Sequence, residues 1–91
     1  MEQVFYIDLS EVLTIEDFQE ALAKELPLPE YYGMNLDAFN DVLIEFGSEW
    51  NLIFYNTARA EMSLGKYFVA FQRLCADACE EFPTMKIRFF N

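Results

Sequence analysis

The stretch LPLPEYYGMNLDAFNDVLIEF, residues 26–46, sets the layout of the whole chain. Pro27 and Pro29 cannot continue a helix and push the residues before them toward extended geometry. Tyr31 and Tyr32 then run into Gly33, which is expected to take the positive φ of a sharp turn. Asn35 is a good N-cap, because its side chain can accept a hydrogen bond from a free amide of the next turn. From Leu36 onward the pattern is helical. At about 100° per residue, Leu36, Phe39, Leu43 and Phe46 share one face, and Asp37, Asn40, Asp41, Ile44 and Glu45 fall on the other. A short helix over residues 35–46 should therefore bury an apolar stripe and present carboxylates outward. Asp41 lies near the middle of that outer face, and Asp37, in the first turn, sits well against the positive end of the helix dipole. An acidic outer face alone is ordinarily no more than a solvated surface.

Upstream, Gln3–Leu9 alternates Phe5, Ile7 and Leu9 with Val4, Tyr6 and Asp8, which predicts a strand more than half buried. Thr14 precedes Ile15-Glu16-Asp17 in the manner of a capping box. The helix Ile15–Leu26 that follows carries Ile15, Phe18, Leu22 and Leu26 on one face and stops at the prolines. Downstream, the organising helix ends near Gly47. Asn51–Tyr55 (NLIFY) is a nearly continuous apolar run, as expected of a central strand well covered by helices, with Trp50 closing the edge of the core. Thr57–Met62 reads as one or two helical turns. Phe68, Phe71, Leu74, Cys75, Ala78, Cys79 and Phe82 form a longer helical stripe, ended by Pro83. Met85–Phe90 alternates again, a strand with one wetter face. Strands separated by helical crossovers argue for parallel pairing. There are no internal repeats, low-complexity tracts or linkers.

The 91 residues suit one domain over 1–91, and ten Phe within a composition that is 54% hydrophobic rule out disorder despite the charge. Sixteen acidic residues against six basic give a net charge of −10. Such a field repels nucleic acid and anionic membrane and speeds encounter with a basic protein. No run approaches a membrane span, and the N-terminus MEQVFYIDLSE lacks the basic and apolar regions of a secretion signal, so the expected address is the cytoplasm. Cys75 and Cys79 should stay reduced there, as buried core thiols on the helical stripe. With no His and no further Cys they cannot complete a metal site, and no cofactor is expected. Asp37, Asp41 and Glu45, at i, i+4 and i+8, would in principle serve acid–base chemistry or a hard cation. Without His, a Gly-rich phosphate loop or a nucleophile motif, and on a convex helix, they do not make an enzyme.

The segment Lys24–Leu43, KELPLPEYYGMNLDAFNDVL, closely resembles the signature of the barstar family, intracellular inhibitors of the secreted ribonuclease barnase. The match is dense through LPEYYG, NLDA and Asp41, and thins elsewhere to a shared pattern of strands and helices. The resemblance implies an α/β fold, a small parallel three-stranded sheet with helices packed on it, and it supplies the strand count and topology. Compared with the family, the region between the second strand and the last helix is shortened. The resemblance also implies a mechanism, in which the helix and its preceding loop occlude the ribonuclease active site. Asp41 corresponds to the family's central inhibitory aspartate, Asp37 to its neighbour, and Tyr31 to the loop tyrosine that packs on the catalytic centre. Alternation together with the family match places Tyr31 outward and Tyr32 inward. A ribonuclease must hold phosphate with cationic side chains, and a fixed carboxylate can take that place through charge-assisted hydrogen bonds. Steering by charge and a dominant buried acid are borrowed from the family, for which the barnase–barstar pair is the standard example.

Three departures lie on the same helix: Asn40 in place of a large aromatic, Glu45 in place of glycine, and Phe46 in place of tryptophan. On the last helix Arg73 aligns where the family offers a further acid, and Asp77, one turn later, is the candidate to replace it. The expected partner-binding set is therefore Tyr31, Asp37, Asn40, Asp41, Glu45, Phe46 and Asp77. The expected partner is a basic extracellular-type ribonuclease, barnase-like or a related nuclease toxin. The alternative is an immunity or antitoxin protein, or an acidic interaction module, directed at a different toxin.

Overall fold

The computed structural model describes Met1–Asn91. The elements run β1 (Gln3–Asp8), α1 (Ile15–Glu25), α2 (Leu36–Phe46), β2 (Trp50–Tyr55), α3 (Ala58–Leu64), α4 (Lys66–Glu81) and β3 (Lys86–Phe89). The strands form one parallel sheet in the order β1-β2-β3. The chain is thus α/β, a small parallel three-stranded sheet with four helices, as expected. Phe5 sits beside Leu52 and Leu52 beside Ile87, while Ile7, Phe54 and Phe89 form the next row.

Each crossover advances one strand in the same direction. Right-handed connections of that kind put all their helices on one side of a sheet. The consequence is visible in β1. Ile7 and the following Leu9 are fully buried, but Val4 is 46% exposed and Tyr6 61% exposed. The expectation that β1 would be more than half buried is corrected for this reason: its second face has no layer over it. The same holds for β2, where Leu52 and Phe54 are buried while Tyr55 is exposed, so helices cover the central strand on one side. On the open face the polar Asn51 is buried at 8% exposure between neighbours, donating to Glu2 at 2.6 Å and accepting from Arg88 at 3.3 Å. In β3 the wetter face is Lys86 and Arg88, as the alternation predicts, and Met85 is buried just before the strand.

Between sheet and helices lies an aromatic core centred on Phe71 of α4. Its ring meets Phe18 of α1 at 4.7 Å, Phe39 of α2 at 5.3 Å and Phe54 of β2 at 5.4 Å between centroids. Phe68 and Phe89 complete the cluster at 6.2 and 6.1 Å. Trp50 is buried and packs edge-on against Phe5 at 5.5 Å, with its indole N–H donating to Gln3 at 3.1 Å.

Helix ends follow local chemistry. Thr14 accepts from the Asp17 amide at 3.0 Å, and Asp17 accepts in return from the amide of Thr14 at 3.1 Å, completing the capping box. Ile15, placed on the buried stripe of α1 by spacing, is instead 47% exposed: it is the first residue of the helix, and burial begins one turn later at Phe18. The buried face of α1 includes a polar residue, Gln19, 1% exposed. The turns expected over Thr57–Met62 form α3, and Gly65 joins it to α4 with φ 52° and ψ −121°, a conformation costly to any residue with a Cβ. Of the two thiols expected in the core, Cys75 is buried and Cys79 only partly so, since it faces the margin where α4 passes β3. Burial pushes the Cys75 thiol well above its ordinary range, with the neighbouring Cys79 adding to it.

Candidate partner-binding surface

The surface is built from the loop 27–34 and the exposed side of α2. Two local hydrogen bonds shape the loop: the Leu28 amide donates to Leu26 at 2.9 Å, and the Tyr32 amide to Pro29 at 3.0 Å. Asn35 then caps α2 as expected, its Oδ1 accepting from the Ala38 amide at 2.8 Å while its Nδ2 donates to the Gly33 carbonyl at 3.1 Å. The positive φ expected at Gly33 falls one residue later, on Met34 at 57°. What Gly33 supplies is room, since a Cβ there would stand 3.2 Å from the Asn35 amide nitrogen that bridges the turn. Met34 holds a conformation that L-residues adopt at a cost of about 1–2 kcal/mol, and such positions gather at binding sites.

Loop and helix enclose an open depression of about 320 Å³. Tyr31, Asp37, Asp41, Glu45 and Phe46 all line it, together with Gly33 and Asn35 near the helix start. Tyr31 is 77% exposed and Tyr32 half-buried, the orientation anticipated for the pair. Phe46 is 44% exposed and so leaves the buried stripe of α2, where helical spacing had placed it. Val42 is buried with Phe39 and Leu43, one turn earlier, whereas Phe46 is the last residue of the helix. The result is a row of three carboxylates between an exposed tyrosine and an exposed phenylalanine.

Nothing inside the molecule neutralises that row. The one ion pair in the chain joins the Met1 ammonium to Glu49, at 2.6 Å. No basic residue stands in the last turn of α2, so Glu45 meets the negative end of the helix dipole uncompensated. Two members of the expected set stand apart. Asn40 is half-buried on the other flank of α2, and Asp77 is exposed on α4; neither lines the depression.

Sequence reasoning missed Gln19. Its Nε2 donates to the Tyr67 hydroxyl at 2.8 Å, and its Oε1 accepts from the Tyr32 hydroxyl at 2.5 Å, so α1, α4 and the loop meet at one buried amide. The available signal was its spacing: Gln19 is i+4 from Ile15 and i−3 from Leu22, a polar residue on an apolar stripe. Burial raises the Tyr32 hydroxyl well above its ordinary range, with Tyr67 reinforcing the shift and the Gln19 bond opposing it.

No helix is long and apolar enough to cross a membrane, and no cluster of His, Cys, Asp or Glu is arranged to hold a metal ion. A family model described as Barstar (barnase inhibitor) matches residues 2–90. With the match spanning nearly the whole length and the parallel three-stranded fold in agreement, the chain belongs to the barstar family.

Proposed function

We propose that the chain inhibits a barnase-like ribonuclease by laying α2 and the loop 27–34 across its active site, with the Asp41 carboxylate standing where substrate phosphate would sit. One observation carries this reading: Tyr31, Asp37 and Asp41, the residues that match the family's inhibitory positions, line a single exposed depression, and the two carboxylates have no ion-pair partner in the free chain. Cationic groups of a phosphate site are suited to fill that vacancy by charge-assisted hydrogen bonds. The net charge of −10 would steer a basic enzyme toward it, with an association rate that falls as salt rises. Glu45 and Phe46 extend the surface, and Asn40 and Asp77 belong to its outer rim. Their departure from the family pattern favours a cognate nuclease whose phosphate site is barnase-like and whose periphery differs.

The test is titration of the chain against RNA hydrolysis by a panel of barnase-like ribonucleases, barnase first. Asp41→Ala should weaken inhibition by about 2–5 kcal/mol, because it leaves a desolvated cation unpaired. Stability should hold within roughly ±0.5 kcal/mol for an exposed position. Glu11→Gln, exposed and remote, is the control for net charge; Asp17 is unsuitable because it closes the capping box of α1. Equal inhibition by Asp41→Ala and Glu11→Gln would refute the mechanism.

A further inference from the structure

We infer that the buried relay Tyr67–Gln19–Tyr32 fixes the conformation of the loop 27–34, which makes Gln19 and Tyr67 positioning residues for a surface they do not touch. Little else holds the loop. Its two backbone hydrogen bonds are internal or reach only Leu26, and the Asn35–Gly33 bond closes its own end. A single side-chain hydrogen bond ties residues 27–34 to another element, from the Tyr32 hydroxyl to Gln19. Leu28 and Tyr32 add apolar contact with the core, but apolar contact is non-directional and leaves the loop free to slide.

Gln19 is suited to supply the missing direction. It is 1% exposed, so its amide cannot exchange these partners for water without opening the core. Its second bond, to Tyr67, occupies the other end of the amide, so the side chain is held between α4 and the loop. Tyr67 is in turn held by its ring, edge-on to Phe18 with centroids 6.0 Å apart. Tyr31 and Tyr32 are adjacent and point to opposite sides, so anchoring Tyr32 inward sets Tyr31 outward at the wall of the depression. Pre-set geometry of this kind raises affinity by removing the entropy of ordering the loop on binding. The functional half of the inference rests on the ribonuclease-inhibitor reading, and the structural half does not.

Tyr67→Phe removes one hydroxyl far from the surface, and Gln19→Leu replaces the whole amide by an apolar side chain of similar size. Hydrogen exchange in the free protein is the first measurement. In both variants the amide at position 32 should exchange about tenfold faster relative to the amides of β2, as expected for a local opening. An unchanged rate at position 32, or a rise shared equally by β2, overturns the relay. The second measurement is a double-mutant cycle with Tyr31→Ala, using whichever ribonuclease of the panel the wild-type chain inhibits. Tyr67→Phe should weaken binding about threefold or more when Tyr31 is present and leave it unaltered in the Tyr31→Ala background. Additive losses overturn the positioning role, because general destabilisation would not depend on Tyr31. Absence of inhibition across the panel refutes the inhibitor reading, and hydrogen exchange then still decides the relay.

Discussion

Phe71→Ala tests whether scaffold and binding surface are separable. The ring is fully buried and meets five others, from α1, α2, β2, β3 and its own helix. Truncating a buried Phe costs about 3–5 kcal/mol in lost transfer energy and residual cavity. Aromatic pairs add about 0.5–1.5 kcal/mol each beyond area, though shared contacts do not sum. The upper half of the range, about 4–5 kcal/mol, is therefore expected. At roughly 0.05–0.15 kcal/mol per residue, 91 residues give a total stability of about 5–14 kcal/mol, so the variant loses a large part of it. The melting temperature should fall by roughly 20–30 °C. Urea unfolding followed by Trp50 fluorescence reads this directly, since Trp50 is the single tryptophan and is buried. Val69→Ala on the same helix, at a site 55% exposed, should stay within roughly ±0.5 kcal/mol. Inhibition by the fraction that remains folded should be unaltered, because α2 keeps its carboxylates. A cost for Phe71→Ala below about 2 kcal/mol would refute the description of this ring as the hub of the core.

Gly65→Ala should destabilise by about 1–3 kcal/mol from backbone strain alone, because φ is 52° and a new Cβ meets no atom within 4 Å. A thermal melt indistinguishable from wild type would contradict that assignment. The Cys75 thiol and Tyr32 hydroxyl are both raised by burial, from ordinary values of 9.0 and 10.0. In the unfolded chain they ionise first, so their contribution is intact below those values and is lost as pH rises above them. Urea midpoints should accordingly decline from about pH 9 upward, and Cys75→Ala should make that decline shallower, Cys79 being raised by burial too; an equal decline in both proteins would exclude the Cys75 thiol as a source of it. Asn40→Trp combined with Glu45→Gly brings α2 closer to the family pattern and should raise affinity for barnase about tenfold. Titration showing no gain would mean that these positions do not set specificity.

Much of this protein was legible in local sequence. The cap at Asn35, the capping box at Thr14, the stop at Pro27 and Pro29 and the alternation in β3 each depend on neighbours a few residues away. Such features survive without knowledge of the fold. The acidic face of α2 was legible for the same reason, since helical spacing alone puts Asp37, Asp41 and Glu45 together. Tertiary structure decided the rest. Val4, Tyr6 and Tyr55 are exposed because two crossovers of the same hand leave one sheet face open, a property of strand order and not of any strand. Phe46 is exposed because it ends α2, one turn beyond the buried Val42 and Leu43, and where the core stops is not written in the spacing. The positive φ falls on Met34 and not on Gly33, whose missing Cβ instead leaves room for the Asn35 side-chain amide. Gln19 reads as an interruption of an apolar stripe until Tyr67, 48 residues on, is brought beside it. A buried polar group is tolerable only with its partners in place, and partners that far apart in sequence are found only by folding.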